Sequence, residues 1–290
     1  MQSMTLLRRL VEGDIAIVAG LVDEDGGYQH AVNFEDPCTK AVKFDVQVAA
    51  DIYWRGTNDS YDISRLGPLK LPFDDVWMEW SVPSGSLINQ DEDLMTELVG
   101  MRCGAYLQVT DNGFCVVMLA INPETEEMFL WPTVEHVTLD GQGNYVSAEA
   151  LPKFPDMTDQ LIQQSAAMVR MFTLPAFMAL GLTNCRNVKT AETGSVRMRR
   201  SGREKRQGVP PKELRYSTII LPGGGSIASD KRGGSHRAAA VHRVRGHFKT
   251  FTAERPLLGK HVGTYWWGWN VRGNPEHGEV QSDYEMGARA

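Results

Sequence analysis

The amino-acid sequence predicts an α+β protein with an acidic antiparallel-sheet body, a long helix and a basic C-terminal β-ribbon. Three observations carry this prediction. Two apolar runs flank the pair Asn112-Gly113, a pattern typical of a β-hairpin. Apolar residues recur at helical spacing between 157 and 188. Charged and apolar residues alternate between 242 and 251, as they do in a strand with two unlike faces.

The overall composition is that of a globular protein, with 42% hydrophobic and 23% charged residues in a chain of 290. No apolar run approaches the roughly 20 residues that cross a bilayer, and residues 1–20 lack a signal-peptide pattern. Neither a membrane partner nor secretion is therefore expected. The cysteines form no C-x-x-C pair, which indicates a reducing, cytoplasmic setting. We predict no cofactor and no metal site.

The net charge of -6 divides unevenly along the chain. Residues 1–185 carry a charge of -17 and residues 186–250 a charge of +12. This division predicts an acidic α+β body over 1–188, a basic flexible loop over 189–213 and a basic β-ribbon module over 214–290. Such asymmetry indicates a polyanionic partner, although opposite charges within one fold can also attract each other.

Within the predicted body, hydrophobic periodicity assigns most elements. We expect a short helix in 1–20, strands in 41–54 and 76–82, a hairpin over 105–121 and short strands in 127–149. The helical pattern of 157–188 is expected to end or kink at Pro175 and to terminate by Gly181.

Paired acids in the segment 72–80 raise the possibility of a magnesium site, since Asp75 and Glu79 fall on one strand face. No lysine follows the second acid at the spacing that a metal-dependent nuclease needs. We therefore expect this strand to be structural.

Beyond the helix, residues 190–212 contain almost no apolar side chains and many arginines, which predicts an exposed, mobile basic loop. Residues 214–222 are expected to form a strand. Residues 222–240 are rich in Gly and Ser, which favours a flexible connection.

The segment 242–251, interpreted as one regular strand, places four basic side chains on one face. These are Arg243, Arg245, His247 and Lys249. Evenly spaced cations can follow phosphates along a nucleic acid, and an arginine fork grips phosphate in two places. We therefore predict that Arg243, Arg245 and Lys249 contact phosphate. Nucleic-acid binding is also predicted for Arg272 and for three arginines of the basic loop, Arg199, Arg200 and Arg203.

The strand within 259–273 places Trp266 among polar residues, while Tyr265, Trp267 and Trp269 share the other face. Trp266 is accordingly predicted to be exposed and to stack on a base, and the other face to be core. The alternative is that all three tryptophans are buried.

A second functional hypothesis is a metal-independent ribonuclease. Histidine suits both general acid and general base, and His247 with His261 on the neighbouring strand is the favoured pair. Arg245 would stabilise the transition state. The third hypothesis is a non-catalytic protein that binds a partner through its acidic body. The choice between RNA and DNA and the oligomeric state stay open.

Two segments carry a resemblance to known sequences. The run VRGHFKTFTAERPLLGKHVGTYWWGWNVRG (244–273) and the segment TNCRNV (183–188) resemble the C-terminal module of uncharacterised proteins encoded by bacteriophages and mobile elements. The resemblance covers roughly residues 180–275. It implies a phage or mobile-element origin, and hence the cytoplasm of a host cell, but it supplies no catalytic residue.

Overall fold

The protein combines a large mixed β-sheet with a few helices, so the α+β class is confirmed. A computed structural model describes residues 4–12, 18–19, 39–54, 63–83, 98–122, 126, 128–152, 158–198, 200, 202–222, 240–244, 246–268, 270–272 and 274–279. The helices are α1 (Thr5–Glu12), α2 (Gln47–Trp54), α3 (Asp159–Thr183) and α4 (Gly202–Arg206).

The strands of the large sheet are β1 (Val18–Ala19), β2 (Val42–Asp45), β3 (Asp75–Ser81), β4 (Arg102–Thr110), β5 (Gly113–Ile121), β6 (Met128–Leu139), β7 (Tyr145–Pro152), β8 (Lys189–Arg197) and β9 (Glu213–Ile220). Their order is β1-β6-β5-β4-β3-β2-β9-β8, with β7 also paired to β6. The C-terminal strands are β10 (Ala240–Val244), β11 (His247–Phe251), β12 (Gly263–Trp267), β13 (Asn270–Arg272) and β14 (Asn274–Glu279).

The large sheet is mixed, whereas the sequence predicted an antiparallel one. Strands β3 to β7 form antiparallel ladders, and so do β8 and β9. Strand β2, however, runs parallel to both of its neighbours, β3 and β9, and β1 runs parallel to β6. Side-chain alternation does not encode strand direction, which explains the difference.

Helices cover both faces of the large sheet, so the sheet is the middle layer of the fold. Helices α2 and α3 pack on one face around residues such as Trp54, Phe172 and Met78. Helix α1 packs on the other face against Trp77 and Tyr106. Because successive strand residues point to opposite faces, all positions of β3 from Val76 onward are buried.

The predicted strand 41–54 is wrong beyond Asp45, where helix α2 begins. The Asp45 carboxylate accepts a hydrogen bond from the Gln47 backbone N–H at 3.0 Å, which is an Asx-turn just before the helix. The Val46 carbonyl accepts the first helical bonds from Ala49 and Ala50. The Gln47 side chain bonds both backbone groups of Ser81. One face of the new helix then buries Ala49 and Trp54.

The hairpin predicted over 105–121 is confirmed as β4 and β5, but its turn lies one residue earlier. Thr110 pairs with Gly113, so the loop residues are Asp111 and Asn112. Neither has a positive φ, so the turn is not of type I′. Glycine at position 113 allows β5 and β6 to approach closely, because a Cβ there would lie 2.0 Å from the carbonyl oxygen of Val137 on β6.

Helix α3 ends at neither of the predicted residues, but continues through Pro175 and Gly181 to Thr183. A mid-helix proline removes one backbone hydrogen bond. The buried side chains around it, including Ala176 and Phe177, offset that loss by packing. Gly181 does not end the helix. Glycine at this position allows a close contact, because a Cβ there would lie 2.2 Å from the carbonyl oxygen of Leu66.

The prediction of a basic flexible loop over 189–213 is wrong, since this segment contains β8 and α4. Strand β8 pairs with β9 along its length, and backbone pairing needs no apolar side chains. Ion pairs join the two strands: Arg197 Nε lies 2.9 Å from the Glu213 carboxylate, and Arg215 lies 3.2 Å from Glu192. Because β9 also pairs with β2, the sheet crosses the predicted boundary at 214.

The predicted strands 76–82 and 214–222 are confirmed as β3 and β9, and 127–149 as β6 and β7. The predicted N-terminal helix is α1, which buries Leu6, Leu7 and Leu10. Among the described residues, no helix has both the length and the apolar character that a membrane crossing requires.

Candidate nucleic-acid interface

The basic segment 242–251 does not form one continuous strand, which corrects the predicted cationic face. It divides into β10, which pairs with β13 and β14, and β11, which pairs with β12. The break includes Gly246, where a Cβ would lie 2.5 Å from the Trp266 ring. Side-chain alternation therefore cannot be carried from Arg243 to Lys249.

Strands β11 and β12 form an antiparallel ribbon whose register defines an outer face. His247 lies opposite Trp267, Lys249 opposite Tyr265, and Phe251 opposite Gly263. Directly opposed residues point to the same side of a sheet. We call this surface, made of His247, Lys249, Phe251, Tyr265 and Trp267, the outer face of the ribbon.

The inner face of the ribbon packs on the protein body. Trp266 is 4% exposed, and its ring centroid lies 4.8 Å from that of Phe248. The Phe248 ring also approaches Gly181 of α3, where a Cβ would lie 3.1 Å away. The prediction that Trp266 is exposed and stacks on a base is therefore wrong, and so is the assignment of Tyr265 and Trp267 to the core.

Thr264, one of the polar residues that suggested an exposed Trp266 face, has its hydrogen-bond partner within the ribbon itself. Thr264 is 5% exposed, and its hydroxyl lies 2.9 Å from that of Thr250 on the paired strand. A buried hydroxyl is tolerated when it has a hydrogen-bond partner. The presence of threonine on this face thus did not indicate exposure.

Residues just after α3 form hydrogen bonds with the edge of β12 that faces away from β11. The Asn187 side chain donates to the Trp266 carbonyl at 2.7 Å and accepts from the Trp266 N–H at 2.9 Å. The Arg186 N–H donates to the Thr264 carbonyl at 2.9 Å. Asn187 therefore bonds to β12 in the way that a neighbouring strand residue would.

The outer face combines aromatic rings with positive charge. Lys249 Nζ lies 5.1 Å from the centroid of the Phe251 ring and 5.7 Å from that of Trp267. Phe251 and Tyr265 meet edge to face, with centroids 5.8 Å apart. Trp267 is 37% exposed, a large apolar surface for a position on a strand. A lysine among ring faces is stabilised by their electron density.

Arg186 is a further basic group that reasoning from sequence missed. Its side chain is exposed, and its Nε lies 2.6 Å from the position that a Cβ of Gly263 would occupy. Gly263 stands opposite Phe251, so Arg186 lies at the Phe251 end of the ribbon. Arg186 belongs to the segment TNCRNV (183–188), which carries part of the resemblance to phage and mobile-element proteins. That resemblance was the one feature of the sequence that could have drawn attention to it.

The loop between the two ribbon strands adds exposed charge at the same end. Arg255, Lys260 and His261 are exposed there, together with the acidic Glu254. Hydrogen bonds of Glu254 with Thr252 and with the backbone lower the pKa of its carboxyl group, so this loop keeps both signs of charge.

The predicted catalytic pair is not assembled. His247 lies at one end of the ribbon, opposite Trp267. His261 lies in the loop beyond the other end, where its carbonyl accepts from Leu257. The four strand steps from His247 to Phe251 alone span about 13 Å, which is too far for one acid and one base to act on one phosphate. The histidine-pair prediction is therefore wrong.

The remaining predicted contacts fall elsewhere or outside the described residues. Arg200 donates to the Val209 carbonyl at 2.9 Å, and Arg203 is exposed on α4. They follow the far end of β8, whose eight steps span about 26 Å. Only the backbone is described for Arg243 and Arg272, whereas Arg199 and Arg245 lie outside the described residues.

The acids of β3 serve the fold. Glu79 is 4% exposed and accepts hydrogen bonds from the backbone N–H groups of Leu6 and Leu7 at 2.8 and 2.9 Å. Burial raises the pKa of Glu79 to about 7, although these hydrogen bonds counteract the shift. Asp75 accepts from Tyr106 and Gln108. Across the part of the chain that the structure describes, no three His, Cys, Asp or Glu residues are grouped to hold a metal.

Comparison with known proteins adds no relative, since no family model, no curated protein and no solved structure matches this chain. The resemblance to phage and mobile-element proteins remains a prediction.

Proposed function

We propose that this protein binds nucleic acid through the outer face of its β11–β12 ribbon. The observation that carries the proposal is the arrangement of Lys249 between the rings of Phe251 and Trp267, on a face that also presents Tyr265 and His247. Proteins that bind nucleic acid combine positive groups, which meet phosphates, with aromatic rings, which meet bases.

The charge distribution supports a polyanionic partner. Residues 186–250 carry +12 and residues 1–185 carry -17. A polyanion is attracted to the first region and repelled by the second. Much of this positive charge lies on β8, α4 and β9, so it supports nucleic-acid binding in general, and it is the arrangement of Lys249 and its neighbouring rings that indicates the ribbon. Among the residues whose side chains the structure describes, Arg186 and Lys249 are the proposed phosphate contacts, since both are exposed at the ribbon. Arg243, Arg245, Arg272 and Arg199 stay predicted contacts. A cytoplasmic setting in a host cell belongs to the same proposal.

Replacing Lys249 with alanine is expected to weaken nucleic-acid binding and to make it less dependent on salt. Each phosphate contact contributes about 0.7 to 0.9 to the slope of log affinity against log salt concentration, so the slope should fall by roughly that amount. Fluorescence anisotropy of labelled oligonucleotides, titrated at several salt concentrations, measures both quantities.

Lys40 provides the matched control for this experiment, because it is also exposed but belongs to the acidic part of the chain. The Lys40→Ala variant removes the same charge and should leave affinity and salt slope close to those of the wild type. Equal losses in both variants would show that only net charge matters, and unchanged binding in Lys249→Ala would refute the ribbon as the site.

A further inference from the structure

We infer that the ligand of the outer face is a single-stranded nucleic acid, held extended with its bases separated from one another. This inference rests on the proposed function and specifies its ligand. The evidence is the spacing of the exposed rings, the burial of the ribbon's inner face and the position of Lys249 between rings.

The spacing of the rings does not fit stacked bases. Tyr265 and Trp267 are two residues apart on β12 and share the outer face, so their attachment points are about 6.6 Å apart. Successive bases along one strand of a duplex rise by only about 3.4 Å. Neighbouring bases that each cover one of these rings cannot also stack on each other. An extended single strand allows this separation, and aromatic platforms that bind single strands use it.

The burial of the inner face argues against insertion into a duplex groove. A two-stranded ribbon can enter the major groove, which is about 12 Å wide, but it must then project from its protein. Here Trp266 and Thr264 are almost fully buried, and Phe248 packs towards Gly181 of α3. The ribbon lies against the body through its inner face, and the faces of bases that are paired and stacked within a duplex are not accessible to the rings of its outer face.

Lys249 occupies the place where the backbone of such a strand would pass. Its ammonium lies between the Trp267 and Phe251 rings, 5.7 and 5.1 Å from their centroids. A phosphate that links bases on neighbouring rings would meet this charge. The four strand steps from His247 to Phe251 span about 13 Å, which accommodates two or three nucleotides at the spacing of the rings.

The test compares three labelled ligands at one salt concentration: an oligo-dT and an oligo-U of about twelve nucleotides, and a blunt DNA duplex of the same length. We expect the single strands to bind at least about ten-fold more tightly than the duplex. Trp267→Ala should weaken single-strand binding by on the order of ten-fold, as alanine replacements of stacking residues do. Trp267→Phe keeps a ring and should restore most of the affinity.

Phe73 supplies the control for loss of an exposed ring, since it is 49% exposed and packs beside Phe44 in the body. Phe73→Ala should leave binding unchanged, and thermal melting of each variant verifies that it is folded. Equal affinity for duplex and single strands, with no effect of Trp267→Ala, would overturn this inference while leaving nucleic-acid binding in place. The absence of binding to all three ligands would overturn the proposed function itself. A difference between oligo-dT and oligo-U, with both above the duplex, would support the inference and identify the preferred sugar.

Discussion

Replacing Glu79 with alanine is expected to lower the free energy of unfolding by about 3 kcal/mol at pH 5. The Glu79 carboxyl group accepts two backbone hydrogen bonds from the first turn of α1, and alanine would leave both N–H groups without that partner. Leu6 and Leu7 are themselves buried, so water cannot easily replace the carboxyl group. Urea denaturation followed by tryptophan fluorescence measures the loss.

The same residue should make stability depend on pH. Its pKa is raised from 4.5 to about 7 in the folded protein, so between these values the folded state holds a proton that the unfolded state has released. Its contribution is fully present below pH 4.5 and is lost as the pH rises through about 7. The integrated effect is about 3 kcal/mol.

The control for this pH dependence is Glu135, a second buried acid. Burial also raises its pKa, and Thr173 and Arg170 act in the opposite direction. The Glu135→Gln variant should retain the part of the pH dependence that belongs to Glu79, whereas Glu79→Ala should lose it. A Glu79→Ala protein as stable as the wild type at pH 5, or a destabilisation that does not shrink towards pH 8, would contradict this role.

Replacing Gly181 with alanine is the second large effect that we expect, a loss of about 2 kcal/mol. Alanine would ordinarily stabilise a helix by about 1 kcal/mol relative to glycine. At this position its Cβ would lie 2.2 Å from the Leu66 carbonyl oxygen and 3.1 Å from the Phe248 ring. A backbone atom cannot rotate away, so the helix, the Leu66 segment or the ribbon must shift.

Gly202 of α4 is the matched control for this substitution. A Cβ added there meets nothing within 4 Å, so Gly202→Ala should be neutral or slightly stabilising. Thermal unfolding of the two variants against the wild type separates helix propensity from contact. A Gly181→Ala protein that gains stability as Gly202→Ala does would show that α3 is not in close contact with the Leu66 segment and the ribbon.

Local patterns of the sequence predicted those strands that are rich in apolar residues. The apolar residues of 76–82 and the paired apolar runs of 105–121 correspond to β3 and to the β4–β5 hairpin. The pattern failed at β8, which contains few apolar residues and is paired through its backbone with β9. It also failed after Asp45, where an Asx-turn leads the chain into a helix.

The ribbon shows why a site can be only partly predicted. Alternation correctly separated Trp266 from Tyr265 and Trp267, but it could not decide which set faces the protein. That choice depends on glycines distant in the sequence. A Cβ at Gly67 would lie 3.2 Å from the Thr264 methyl group, and one at Gly181 would crowd Phe248. Small residues of the body thus make room for the inner face.

The bonds from Asn187 and Arg186 to β12 have a consequence for local opening. These residues follow directly after α3 and precede β8, so one short segment connects a helix end, a sheet edge and the ribbon. If the ribbon detaches, Trp266 and Asn187 lose two hydrogen bonds together. The ribbon and the end of α3 should therefore open as one cooperative unit. In native-state hydrogen exchange, the amides of Arg186 and Trp266 would then exchange with a common free energy.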